Sequence, residues 1–158
     1  MDISNSAKKV QDALKSAGIE AKVVELPDST RTAVEAAQAI GTTVAQIVKS
    51  LVFRGQTSGK AILIEASGIN RVNEKAVAAI LGEPIGKADA DFVREQTGYA
   101  IGGIPPLGHA HEMGAVLIDE DLLQYEELWA AAGTPHAVFR LTPDELIKIA
   151  GGKVVSIK

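Results

Sequence analysis

The sequence contains no cysteine, so disulfide bonds, thiolate nucleophiles and cysteine-ligated metal ions are all excluded. No apolar run reaches the roughly 18 residues that suffice for a membrane-spanning helix. Residues 1–5 do not open a signal-peptide pattern either. We therefore expect a cytoplasmic protein with no membrane partner.

Several common catalytic and nucleotide-binding motifs are also missing. There is no Gly-x-x-x-x-Gly-Lys-Ser/Thr loop and no Gly-x-Ser-x-Gly elbow, and the spacing of Gly98, Gly102 and Gly103 does not fit a dinucleotide-binding fingerprint. His109 and His111 could contribute to a metal site, but a His-x-His pair lacks a third ligand at a recognisable spacing. We interpret them as polar loop residues, and we expect neither a metal nor a cofactor.

Charge is distributed unevenly along the 158 residues, whose net charge is −4. Residues 1–79 carry 10 Lys and Arg against 8 Asp and Glu, whereas residues 80–158 carry 6 against 12. The net charge argues against a generic nucleic-acid coat, and no DNA partner is expected. An anionic partner would approach a face built mainly from the first half; the alternative is that these are solvated charges with no functional meaning.

Helices are predicted where a capping residue precedes an apolar stripe and a glycine follows it. Four stretches have both signals; they follow Thr32, Asn73, Asp89 and Thr142, and they end before Gly41, Gly82, Gly98 and Gly151. An apolar stripe from Ile3 to Ala17, stopped by Gly18, predicts a helix at the N-terminus. Thr43 with Gln46 forms a further capping-box pattern, which predicts a short helix reaching Lys49.

Strands are predicted from short runs of β-branched and other apolar residues between turn signals. These runs are 22–26, 51–54, 61–65, 115–118, 137–141 and 154–157. A glycine-bounded turn at 55–59 indicates a hairpin, and the segment containing Leu122, Leu123 and Leu128 reads as helical or turn. The pattern predicts an α+β fold in one domain, residues 1–158, with a mixed six- to seven-stranded sheet and surrounding helices.

The stretch GYAIGGIPPLGH, residues 98–109, combines four glycines with two prolines. Glycine permits positive φ and a close approach to the backbone, whereas proline fixes the neighbouring torsions. Such a loop can present backbone N–H and C=O groups at fixed positions, for example to stabilise an oxyanion. The alternative interpretation is a tight turn that simply requires glycine.

Lys49 stands between an amphipathic turn and a strand that we expect to be buried. A lysine there either faces a cleft or extends its ammonium group to water. Ser50 adjoins it, but neighbouring residues on a strand point to opposite faces, so a Ser–Lys nucleophile pair is discounted.

Two of these stretches together carry a family resemblance. TAVEAAQAIGTTVAQIVKSLVFR followed by GYAIGGIPPLG resembles the YbaK/ProX-type aminoacyl-tRNA editing family, which includes the editing insertion of bacterial prolyl-tRNA synthetases. The resemblance spans roughly residues 5 to 157. It implies that Lys49 engages the terminal adenosine or its phosphate, and that Gly102 and Gly103 hold the aminoacyl group. We also expect substrate contacts from four further residues, which are Ser50, Ile101, Pro105 and His136. The family residue that follows the lysine differs among subfamilies, so no specificity is transferred to Ser50.

The resemblance also implies an activity. The protein would be a free-standing hydrolase that cleaves a small amino acid, such as alanine or serine, from the acceptor end of a non-cognate tRNA. A positioned water would attack, helped by the substrate's own ribose hydroxyl and by oxyanion stabilisation from the loop backbone. An aminoacyl-tRNA synthetase could be a partner, because nothing in the chain resembles an anticodon-reading domain. Two alternatives stay open: a non-catalytic module that binds tRNA or a synthetase, and an unrelated regulator with a protein-binding turn.

Overall fold

The computed structural model describes residues 4–158, so Ile3, the first residue of the predicted stripe, lies outside the described part. The N-terminal helix begins after Ser4, whose hydroxyl accepts a hydrogen bond from the Ala7 N–H. The other four helices begin after their predicted capping residues and end at glycines in the left-handed conformation. The helices are α1 (Asn5–Ser16), α2 (Ala33–Ile40), α3 (Glu74–Leu81), α4 (Ala90–Thr97) and α5 (Pro143–Ala150).

A mixed sheet of eight strands organises the described chain. The strands are β1 (Val24–Glu25), β2 (Ile47–Gly55), β3 (Ala61–Ser67), β4 (Ile85–Lys87), β5 (Ala115–Asp119), β6 (Leu128–Ala131), β7 (Ala137–Leu141) and β8 (Lys153–Val155). Their order is β1-β7-β6-β2-β3-β5-β8, and β4 pairs with β2 off this path. The β2–β6, β3–β5 and β5–β8 pairs are parallel and the rest are antiparallel, which confirms the predicted α+β class with a mixed sheet.

The strand count exceeds the prediction because β4 and β6 carry weak local signals. β4 is three residues long with a glycine at its centre, and it forms by pairing with the end of β2. β6 lies where we predicted a helical or turn segment, and a short 3-10 helix at Glu120–Gln124 precedes it. Half of the residues of β6 are alanine, a poor strand former, so its conformation comes from pairing with β2 and β7.

The predicted helix reaching Lys49 is wrong. A 3-10 helix covers only Val44–Gln46, and β2 begins at Ile47, so Lys49 is the third residue of a strand. The Thr43 hydroxyl bonds the side-chain oxygen of Gln46 instead of capping a backbone N–H. Ile47 and the next residue then pair with β6, and this pairing sets the strand conformation.

Two main apolar clusters lie on the two faces of the sheet. The larger one packs α1, α5 and the Gly-Pro loop, residues 98–109, against β6 and β7. The smaller one packs α3 against β3 and β5. Within residues 4–158, every helix is too short or too polar to span a membrane.

Candidate active site

A gap in the sheet opens the site. One edge of β2 pairs with β3 along most of its length, whereas the other edge pairs with β6 only at Ile47 and Val48 and with β4 only from Phe53 onward. Residues 49–52 therefore have no strand partner on that edge within the described chain. A cavity of about 380 Å³ lies there, between β2, α2, β6 and the Gly-Pro loop. We call it the main cavity because Lys49, Ser50 and Gly102 line it; its volume falls at the lower end of the size range of small-molecule sites, and other depressions of the surface are larger.

Lys49 lines the main cavity and is half-buried. Its ammonium Nζ donates a hydrogen bond to the backbone oxygen of Asn70, at 3.0 Å. Burial lowers the pKa of Lys49, the nearby Arg71 lowers it further, and Asp119 opposes both. The lysine thus belongs to a cleft, one of the two interpretations that its position in the sequence allowed.

A buried polar network fixes the carbonyl that Lys49 contacts. The Asn70 side chain donates to Asp119 and to Asp121, at 2.8 and 2.7 Å. Asp119 is fully buried, and its carboxylate also accepts backbone N–H groups from Ser67 and Asp121. Asp121 in turn forms an ion pair with Lys158 at 2.9 Å. These hydrogen bonds hold Asn70, and with it the carbonyl that Lys49 contacts, in place.

The Gly-Pro loop enters the main cavity through a tight turn. The Gly103 N–H donates to the Ala100 oxygen at 3.1 Å, and Gly102 occupies the third position of that turn with φ of +97°. Positive φ at this position explains why the turn uses glycine. Ile101 and Gly102 line the main cavity, and Ile101 is 58% exposed at its mouth. The Gly102 N–H has no acceptor within the described chain, so it is free to bind a ligand.

Gly103 has a different position from the one expected. It is buried, it is not among the residues that line the main cavity, and its N–H is already committed to the turn. Its carbonyl oxygen accepts the Gly133 N–H at 2.8 Å, which ties the Gly-Pro loop to the segment before β7. A Cβ atom at Gly103 would lie 3.0 Å from three backbone atoms of Thr134. The glycine therefore permits close packing of two loops.

Gly103→Ala is expected to lower the free energy of unfolding by about 1–3 kcal/mol, because the added methyl forces two hydrogen-bonded backbone segments apart. Urea denaturation of the variant and the wild type measures this difference. A variant as stable as the wild type would show that the contact with Thr134 adapts freely.

Thr30 and Arg31 were not predicted, yet both line the main cavity. The Thr30 N–H bonds the Pro135 oxygen at 2.5 Å, while its buried hydroxyl has no partner in the structure. The Arg31 stem covers Gly102, since a Cβ there would meet the arginine Cγ at 2.6 Å. Arg31 and Lys49 are the charged residues of the lining, and both are cations from the basic half of the chain.

Ser50 also lines the main cavity, and its hydroxyl is hydrogen-bonded to Glu65 of β3. The two residues are paired across β2 and β3, and Ser50 Oγ lies 2.8 Å from Glu65 Oε2. Glu65 is fully buried, and burial raises the pKa of its carboxyl to about 8, although the bond from Ser50 opposes this. The carboxyl is therefore mainly protonated at neutral pH. Its other oxygen, Oε1, has no partner in the described structure.

Pro105 and His136 lie apart from the lining of the main cavity. Pro105 is buried, and its carbonyl oxygen lies 2.7 Å from Nε2 of His109. His136 is exposed, and its Nδ1 lies 3.1 Å from the Asp28 oxygen. A substrate contact by Pro105 or His136 stays a prediction.

His109 closes the Gly-Pro loop on itself. Burial lowers the pKa of this histidine, although the bond to Pro105 opposes the shift. Because the Pro105 carbonyl oxygen can only accept, Nε2 carries the proton of this hydrogen bond. Among residues 4–158 no group of three or more His, Asp or Glu side chains is arranged to hold a metal ion.

A comparison with known protein families identifies the family of this chain. The description of the matching family is aminoacyl-tRNA editing domain, and the match covers residues 27–149. The chain belongs to this family. The matched range contains the whole main cavity, from Thr30 to Val138.

Relatives of this editing-domain protein extend over nearly its whole length. The uncharacterized protein YwhH of Bacillus subtilis (strain 168) is 34% identical over 149 residues, which is 94% of either chain. A solved structure of a candidate trans-editing enzyme for prolyl-tRNA synthetase is 51% identical with a TM-score of 0.92, covering 99% of both chains. The structure of hypothetical protein APE2540 is 28% identical with a TM-score of 0.86, covering 94% of this chain and 98% of that one.

Proposed function

We propose that this editing-domain protein is a trans-acting hydrolase that removes a small amino acid, alanine or serine, from mischarged tRNA. The main cavity carries the proposal, because it combines two cations, a free backbone donor and hydroxyl groups in a space of about 380 Å³. One structural relative is described as a candidate trans-editing enzyme for prolyl-tRNA synthetase, which favours the tRNA of proline as the carrier.

The cations would bind the acceptor end of the tRNA. Lys49 and Arg31 are both in the lining, and no carboxylate of the described chain lines the main cavity with them. A half-buried ammonium group forms stronger charge-assisted hydrogen bonds than one in bulk water. Lys49 would therefore anchor the terminal adenosine or its phosphate, and exposed Ile101 at the mouth would contact the nucleoside.

The Gly-Pro loop would polarise the ester. Gly102 offers an N–H that has no acceptor within the described chain, whereas Gly103 supports the loop through its contacts with Ala100 and Gly133. A donor aimed at the developing oxyanion stabilises the transition state without any catalytic side chain. Water then bonds to the carbonyl carbon, and the carbon–oxygen bond to the ribose breaks. One water proton passes to the ribose oxygen, leaving free amino acid and intact tRNA.

Selectivity would come from the size of the main cavity. One methylene group changes binding by about 1–3 kcal/mol, which limits the first selection step of a synthetase against smaller amino acids. The Thr30 hydroxyl, buried and without a partner, would accept or donate a hydrogen bond to the bound amino acid. A small side chain would leave room for that contact and for the attacking water.

The experiment is a panel of the tRNA of proline charged with alanine, serine, threonine or proline, with release of free amino acid measured for each. We expect release from the alanyl or seryl form to be at least tenfold faster than from the prolyl form. Equal release from all four charged tRNAs would show that the main cavity does not select the amino acid by its size. Tight binding of all four with intact esters would instead support a non-catalytic binding module.

A further inference from the structure

The pair formed by half-buried Ser50 and buried Glu65 is not used by the mechanism above. Ser50 lines the main cavity, and Glu65 lies beneath it on the neighbouring strand with no exposed surface. We propose that Glu65 is a positioning residue that turns the Ser50 hydroxyl into a hydrogen-bond donor to the scissile carbonyl of the aminoacyl ester. This inference rests on the proposed deacylase function.

The direction of the hydrogen bond follows from the surroundings of Glu65. A protonated carboxyl has one O–H donor, and its proton is bound to one of the two oxygens, Oε1 or Oε2. On Oε1 the proton would be a buried donor with no acceptor, since Oε1 has no partner in the described structure. On Oε2 the proton would be donated to Ser50 Oγ, 2.8 Å away, the reverse of the bond in which Ser50 donates to an ionised carboxylate. The second arrangement satisfies the proton, so it is the favoured one.

This arrangement commits Ser50 to donate elsewhere. With its oxygen accepting the proton of Glu65, the Ser50 hydroxyl is left with its own hydrogen to donate to an acceptor in the main cavity that Ser50 lines. An ionised carboxylate could only accept, and it would draw the Ser50 hydrogen back to itself. The protonation state of Glu65 thus decides whether the cavity holds this donor.

The Ser50 hydroxyl would add a side-chain donor to the backbone donor of the loop. Oxyanion sites commonly combine several preorganised donors, and the Gly103 N–H is unavailable because it bonds the Ala100 oxygen. Ser50 and Gly102 line the same cavity, one on β2 and one on the loop. The Ser50 O–H and the Gly102 N–H would then both donate to the developing oxyanion.

The charges around Glu65 do not complicate this assignment. The residues paired with it are Ser50 on β2 and Ile118 on β5. The adjacent charged residues on those strands, Lys49 and Asp119, lie one position along and project from the opposite face. The 3-10 helix after β5 carries Glu120 and Asp121, and the one before β2 carries no titratable residue. The pKa of Glu65 is set by burial and by Ser50.

The test compares kcat/KM of Glu65→Gln with that of the wild type across pH on one mischarged tRNA. Glutamine cannot ionise, so the ratio of variant to wild type should rise about tenfold between pH 7 and pH 9 as wild-type Glu65 loses its proton. Titration of the substrate's amino group affects both proteins equally and cancels in the ratio. Glu95→Gln, an exposed residue of α4, is the matched control, and its ratio should stay flat.

Ser50→Ala provides a second readout that does not depend on the glutamine variant folding. Removal of one oxyanion donor lowers kcat by roughly 100- to 1000-fold, and the alanine variant should also lose the titration near pH 8. An active wild type with a flat Glu65→Gln ratio, or a Ser50→Ala profile that keeps the titration, overturns this inference alone. A wild type that hydrolyses no mischarged tRNA overturns the proposed function and this inference together.

Discussion

Lys49→Met is expected to lower kcat/KM for deacylation of mischarged tRNA by about 100-fold or more. The substitution keeps most of the aliphatic stem but removes the ammonium group, which is half-buried in the main cavity and held by the Asn70 carbonyl. Loss of one partner from a buried, charged hydrogen bond costs about 2–5 kcal/mol, and about 1.4 kcal/mol is a factor of ten. Because the lysine is proposed to anchor the acceptor end, most of the effect should appear in KM.

Steady-state deacylation kinetics measure this effect, with Lys148→Met as the control. Lys148 is an exposed residue of α5 and does not line the main cavity, so its loss should leave the kinetics unchanged. Lys49→Arg keeps the charge and should recover part of the activity. If Lys49→Met deacylates at the wild-type rate, the lysine has no role in binding the acceptor end.

Stability should fall as the pH rises, and Glu65 should be the main cause. Its pKa is about 8 in the folded protein, against the ordinary value of 4.5 for a glutamate carboxyl. Between these values the folded state holds a proton that the unfolded state has released, so each increase in pH favours unfolding. The contribution of Glu65 is complete below pH 4.5 and is lost on approaching pH 8. The loss is on the order of 5 kcal/mol, since one unit of pKa corresponds to about 1.4 kcal/mol.

Urea denaturation of the wild type and of Glu65→Gln at several values between pH 5 and pH 8 tests this linkage. The unfolding free energy of Glu65→Gln minus that of the wild type should increase steadily from pH 5 to pH 8. Glu95→Gln, at an exposed position, should show a constant difference. A constant difference for Glu65→Gln as well would mean that the buried carboxyl is already ionised.

The helices could be predicted from sequence because their signals are local. Thr32, Asn73 and Asp89 each accept a hydrogen bond from the backbone N–H three residues later, and a left-handed glycine ends each helix. These contacts involve only neighbouring residues. β6, by contrast, exists through its pairing with β2 and β7, which are distant in sequence, so its own residues indicated no strand.

The candidate site was predictable only where a residue type was conspicuous. Lys49, Ser50, Ile101 and Gly102 do line one cavity, although some fifty residues separate the first pair from the second. Thr30 and Arg31 carried no such signal, because a contact with Pro135 across the fold places them there. Glu65 ends the apolar run 61–64, and sequence alone does not tell a buried carboxyl from an exposed one.

The most direct test of the central claim is a single-turnover experiment with excess wild-type protein and alanyl-tRNA of proline. The proposed mechanism predicts that free alanine appears well above the rate of spontaneous hydrolysis, and that prolyl-tRNA under the same conditions stays largely intact. The contradicting result is an ester that lasts as long in the bound alanyl-tRNA as it does in the absence of protein. The main cavity would then not be a hydrolytic site.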